Sequence, residues 1–101
     1  MATRLALQKK LEELLGSKNV YYEPPENLKL DYPCFVYMLD DVYRRSADNI
    51  GYTIQNRYQI TLIDRLPDNP VRDKLLELPR CEFDRPYKSD NLEHYVFTIY
   101  W

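Results

Sequence analysis

The sequence predicts an α+β fold: a mostly antiparallel sheet with a long hairpin, packed against an N-terminal helix and a second short helix. Three observations predict it. Leu7, Leu11, Leu14 and Leu15 recur at helical spacing near the N-terminus. Tyr52 to Arg65 alternates as a half-buried strand does, and Leu92 to Trp101 is rich in aromatic and β-branched residues. Between them, Asn69-Pro70 opens a shorter apolar stripe that Pro79 stops. A chain of 101 residues has room for one core, so residues 1-101 are read as one domain.

The first helix is expected from Thr3 to Leu15, a rod roughly 20 Å long. Thr3 suits the N-cap and Gly16 the position just past the end. Gln8, Lys9, Lys10, Glu12 and Glu13 fill the face opposite the leucines, so a single stripe must pack on something, most simply a sheet. Asn19 to Tyr22 reads as a short strand, and Glu23-Pro24-Pro25-Glu26-Asn27 breaks regular structure. Leu28 to Tyr32 is expected as a returning loop. Cys34 to Leu39 is apolar at both parities, which predicts a central strand covered on both faces.

Asp40 to Ala47 and Tyr52 to Arg65 are strand-like, and Asp48-Asn49-Ile50-Gly51 between them is a turn signal, so the two form a hairpin. Tyr58, Ile60 and Leu62 point one way; Arg57, Gln59, Thr61 and Arg65 point the other, with Ile63 the exception on the polar face. Asn69 as N-cap and Pro70 at the first helical position begin a helix of about nine residues through Val71, Leu75 and Leu78, too short to stand alone in water. Arg80 to Phe83 reads as a short strand. Asp84-Arg85-Pro86 and Lys88-Ser89-Asp90-Asn91 read as turns. In the last strand Tyr95, Phe97, Ile99 and Trp101 share one parity, and Val96, Thr98 and Tyr100 the other.

Composition narrows the functional classes. Lys+Arg is 14 against 16 Asp+Glu, a net charge of -2, where a dedicated nucleic-acid binder carries a basic excess. No apolar run approaches the ~20 residues of a membrane span, and the N-terminus has no signal-like apolar region, so no membrane partner is expected and an intracellular, soluble chain is. With only two Gly there is no glycine-rich phosphate loop. The ten Tyr suit half-buried sheets and protein interfaces.

Constellations with catalytic chemistry are sparse. His94 is the one histidine, and Glu93 beside it on a strand points to the opposite face. Asp40, Asp41, Asp64, Glu82 and Asp84 lie near strand ends and could gather a divalent metal. However, none of the six lysines has an acidic residue two positions before it, as one nuclease pattern requires. Cys34, Cys81 and His94 offer three zinc ligands at spacings unlike paired-cysteine sites, and both thiols are expected to be buried. No catalytic, metal or cofactor site is assigned, and no cofactor is expected.

Tyr43, Arg44, Arg45, Tyr52 and Arg57 fall on the hairpin, with Arg44 and Arg45 at opposite parities. Arg and Tyr are the residue types that dominate interface hot spots, so these five are the candidate interface. A protein partner fits the acidic balance better than nucleic acid stacked on tyrosines. A long hairpin on so small a domain also leaves strand edges to be covered by other copies.

Several segments together resemble a known family: Tyr32-Pro33-Cys34-Phe35-Val36-Tyr37, Ala47-Asp48-Asn49, Arg57-Tyr58, Thr61-Leu62-Ile63-Asp64, Asp73-Lys74-Leu75-Leu76-Glu77-Leu78-Pro79, Cys81-Glu82-Phe83-Asp84-Arg85 and Asp90-Asn91-Leu92-Glu93-His94-Tyr95-Val96-Phe97. In order, over roughly residues 20 to 101, they are similar to the tail terminator, tail completion or head–tail joining proteins of long-tailed bacteriophages and prophages of Gram-positive bacteria. The resemblance implies a non-enzymatic virion subunit. Copies of it form a ring, commonly a hexamer, at the head-proximal end of the tail tube, stop tube growth and join the head connector. DNA would pass through the lumen without specific binding. The neighbouring role of head-closure or adaptor protein, and a small single-stranded nucleic-acid-binding domain, stand as alternatives.

Overall fold

A computed structural model describes residues 3–47 and 51–101, with the side chains of 43–47 and 51–53 outside the description. The element order is α1 (Arg4–Leu15), β1 (Val20–Tyr22), β2 (Cys34–Ala47), β3 (Gly51–Asp64), α2 (Val71–Leu76), β4 (Cys81–Ser89) and β5 (Leu92–Tyr100). The strands form one five-stranded sheet in the order β1-β2-β3-β5-β4. Among the described residues the β1–β2 pair is parallel and the other pairs are antiparallel. The α+β architecture read from the sequence is therefore the observed one.

Local chemistry explains most boundaries. Thr3 accepts a hydrogen bond from the Ala6 amide at 3.2 Å and so caps α1. Gly16 takes φ 79, the left-handed conformation that closes the helix, and its amide donates to the Glu12 carbonyl. Leu7 and Leu11 are fully buried, and Leu14 and Leu15 pack partly against the same cluster.

The cross-strand register aligns the core in rows. Tyr37, Ile60, Phe97 and Phe83 stand opposite one another, as do Phe35, Leu62 and Tyr95, and Leu39, Tyr58 and Ile99. Within this set Phe35, Tyr37, Ile60, Leu62, Phe97 and Ile99 are wholly buried, each side chain contributing about 1.5–3 kcal/mol of transfer free energy. The Phe83 and Phe97 rings meet edge-on at 5.3 Å. Leu7 and Leu11 of α1 and Val71 and Leu75 of α2 complete this core from the helices. Ile63, at the other parity of β3, is nonetheless buried, as are Cys34 and Val96.

Several expectations need correcting. The Cys34–Leu39 run is not the central strand. It opens β2, and β3 holds the middle of the sheet. Nor is it covered throughout, since Met38 and Leu39 are each 41% exposed. The second helix spans six residues rather than nine, because after Leu76 the chain continues in single turns, with the Glu77 and Leu78 amides reaching back three residues. Its start is shifted by one residue too: Pro70 rather than Asn69 stands at the N-cap and Val71 is the first helical residue, while the Asn69 Oδ1 accepts from the Val71 amide at 2.9 Å. Asp84-Arg85-Pro86 is not a turn: β4 runs through it to Ser89, with a register shift between Phe83 and Arg85. A proline is tolerated there because β4 is an edge strand and needs no donor on its outer side. Cys81 is only partly buried, at the start of that edge strand.

The turn before the last strand is tighter than the expected Lys88-Ser89-Asp90-Asn91, because Lys88 and Ser89 pair with Glu93 and Leu92 in the sheet and leave Asp90-Asn91 alone as the turn. Asp90 and Asn91 sit at φ 52 and 62, the paired left-handed conformations of a two-residue hairpin turn.

Candidate functional site

The hairpin is longer than the body that supports it. β3 pairs with β5 only from Asp64 to Arg57, where β5 reaches Tyr100. Beyond that point β2 and β3 continue as a two-stranded ribbon to the Ala47–Gly51 pair. Six residues of each strand extend it roughly 20 Å, which helps account for a molecule of 52 × 27 × 23 Å.

Of the five candidate interface residues, Arg57 is described, while the side chains of Tyr43, Arg44, Arg45 and Tyr52 lie outside the described residues. Arg57 sits at the root of the ribbon. Its Nε donates to Asp40 at 2.7 Å, and its Nη2 lies 3.8 Å from Asp41. Adjacent strand residues normally face opposite ways; here the register shifts between Leu39 and Asp41, so both carboxylates reach the same guanidinium. A hydrogen bond with Tyr100 and then the Asp40 bond raise the Arg57 pKa above its ordinary value and keep it charged. One cation thus serves two carboxylates. Asp40 and Asp41, two of the carboxylates that could gather a divalent metal, are turned to Arg57 instead, by a bulge with no sequence signal such as glycine.

The remaining chemistry-bearing residues are not assembled. Asp64 accepts from the Arg65 amide at 2.7 Å and from Asn69 at 2.8 Å, and so organises the turn into α2. Asp84 pairs with its neighbour Arg85 at 3.1 Å. His94 stacks on Tyr87 with ring centres 4.5 Å apart, and its Nδ1 lies 3.0 Å from the Leu92 carbonyl. Glu93 turns instead towards Lys88, at 3.8 Å. Among the described residues, no group of three His, Cys, Asp or Glu side chains is placed to hold a metal. Burial pushes the Cys34 thiol up to about 12 and the Cys81 thiol up to about 11, the direction opposite to that of an activated nucleophile.

Tyr32, Arg65, Asp90, Asn91 and Leu92 line a shallow, open depression of about 360 Å³, with Arg65 lying 5.7 Å from the Tyr32 ring centre. It is too open to exclude water from a reaction.

One polar cluster was not foreseen. Tyr37, wholly buried as a residue, donates its hydroxyl proton to Gln8 and accepts from Arg4 at 3.2 Å. Gln8 also donates to the Val20 carbonyl at 3.0 Å, and Arg4 lies over the Tyr22 ring at 4.3 Å. The cluster fastens α1 to β1 and β2.

The described residues contain no helix long and apolar enough to cross a membrane. No protein-family model matches the chain, and no curated protein matches it.

Proposed function

We propose that this chain is a structural subunit of the neck of a long-tailed bacteriophage or prophage. In this reading it is a tail terminator or tail completion protein that forms a ring, commonly a hexamer, on the head-proximal end of the tail tube. One ring face copies the tube's own subunit contact and binds the last tube ring. The other lacks that contact, ends growth and meets the head connector. The subunit acts through shape, in the virion, and is not an enzyme. DNA passes through a lumen that the net charge of -2 leaves without a strong hold on phosphates.

The observation that carries the proposal is the ribbon beyond Arg57 and Tyr100, supported by the order of family-like segments in the sequence. A two-stranded ribbon standing clear of its sheet is marginal by itself and exposes backbone on both sides. Contact with other subunits removes both problems. Head closure by the same kind of docking remains the neighbouring role. Nucleic-acid binding through sheet tyrosines is less well supported, because a net charge of -2 supplies no basic excess to hold phosphates.

Charge reversal of Arg44 and Arg45 together tests the proposal. The expected outcome is a folded subunit with unjoined heads and tails in electron micrographs of lysates. Normal infectious particles from that double variant would refute the assignment.

A further inference from the structure

The two outer edges of the sheet are treated differently. On β4 the edge is broken by Pro86 and by the register shift at Phe83–Arg85, and it carries Asp84, Arg85 and Lys88. Such features discourage another strand from adding. On β2 the parallel partner β1 ends at the Tyr22–Tyr37 pair, and the Glu23 amide makes the last bond, to the Tyr37 carbonyl at 3.0 Å. From Met38 to Ala47 the outer edge of β2 has no strand partner among the described residues. Met38, Leu39 and Val42 in this stretch are 41%, 41% and 48% exposed.

The charge pattern on that edge is self-complementary. Read along β2, Asp40-Asp41-Val42-Tyr43-Arg44-Arg45 is acidic at one end and basic at the other. When a strand pairs antiparallel with a copy of itself through the same edge, residues of equal parity must face each other. The two-fold axis therefore passes through a residue facing its own copy. With Tyr43 opposite Tyr43, Asp41 stands opposite Arg45 at both ends, and Val42 stands opposite Arg44. Asp41 has capacity for a second cation, being 3.8 Å from an Arg57 that bonds more closely to Asp40. Opposite charges facing each other across strands stabilise the pair, and like charges oppose it.

We infer that the free subunit pairs with a second copy of this chain by antiparallel addition of β2 to β2, in the register that places Asp41 opposite Arg45. The pair turns two exposed two-stranded ribbons into one four-stranded sheet, the smallest step that removes the marginality of each. The contact is isologous, whereas neighbours in a closed ring meet head-to-tail. It therefore describes the subunit before assembly; it shares the exposed ribbon with the neck proposal and adds to it the charge pattern of the β2 edge.

Sedimentation of the full chain over a concentration series tests it, with circular dichroism confirming that each variant is folded. The wild type is expected to be a monomer–dimer equilibrium. Asp41→Lys and Arg45→Glu should each weaken the dimer about tenfold or more, since either change puts like charges opposite at both symmetry-related sites. An equimolar mixture of the two variants should dimerise again, because each reversed charge then meets its complement. A wild type that stays monomeric up to ~1 mM overturns the inference. So do closed rings with no two-copy species, folded variants that dimerise as the wild type does, or a mixture that fails to recover. A monomeric subunit that still joins heads to tails removes the pair and leaves the neck proposal standing; a dimer missing from virions does the reverse.

Discussion

Tyr37→Phe isolates the polar cluster between α1 and the sheet. The ring stays, so its packing against Tyr22 at 4.9 Å and Tyr58 at 6.0 Å is retained and no cavity opens. What goes is a hydroxyl that donates to Gln8 and accepts from Arg4. A neutral hydrogen bond is worth about 1 kcal/mol net and one to a charged group about 1.5–3 kcal/mol. Arg4 is partly exposed and recovers some of its loss through water. The expected loss is therefore about 2 kcal/mol, or about 8–16 °C in Tm for a chain of this size. Urea unfolding followed by circular dichroism measures it, and the m-value should not change. A double-mutant cycle with Arg4→Met should return a coupling of about 0.5–1.5 kcal/mol. A loss below about 0.5 kcal/mol with no coupling would show that the cluster is not what fastens the helix.

Three further outcomes follow from the same kind of reasoning. Cys34 has its thiol pKa raised from 9.0 to about 12 by burial, so the folded state favours the neutral thiol; stability is full below pH 9 and is lost as pH rises from 9 towards 12. Cys34→Ala should flatten that alkaline loss in pH-dependent urea titrations, although it lowers stability at neutral pH. Gly16→Ala meets no atom within 4 Å but must hold φ 79, so it should lower stability by about 1 kcal/mol, read as a shift in urea midpoint at constant m. Asn91→Val places a β-branched residue at φ 62 and should lower stability by about 1–2 kcal/mol, while Asn91→Gly at the same site should be neutral or stabilising.

The elements that could be read in the sequence are those whose signal is local. The Thr3 cap, the leucine stripe and Gly16 all act within one helix, and α1 starts and stops where they place it. Asp90 and Asn91 specify their own turn. What could not be read was set by a neighbour. Asp84-Arg85-Pro86 has turn composition, yet nine residues of β4 extend because β5 offers a complete ladder beside them. The apolar run at Cys34 marks burial at the start of the strand but not its place in the sheet, which depends on β1 adding outside it. At the ribbon root, alternation predicts that Asp40 and Asp41 diverge. The bulge brings them together on Arg57, and the one described residue of the candidate interface acquires its partners by that means.

Edge chemistry links the fold to the proposed role more directly than any side-chain cluster does. A sheet in a lone subunit has two edges to manage, and this one guards β4 with a proline, a bulge and charges. The β2 edge lacks a proline from Met38 to Ala47, and its charges change sign along the strand rather than repeating one sign. A run of one sign would repel a copy of itself in any register; a run that reverses sign is attractive to an antiparallel copy. Arg57 does not cancel this, since it is one cation between two carboxylates at the acidic end. If the edge served only to stay solvated, replacing Asp41 by Lys would leave the subunit's mass in solution as it was. If the edge is built to meet another chain, that replacement changes the mass, and the reciprocal change at Arg45 on a second chain restores it.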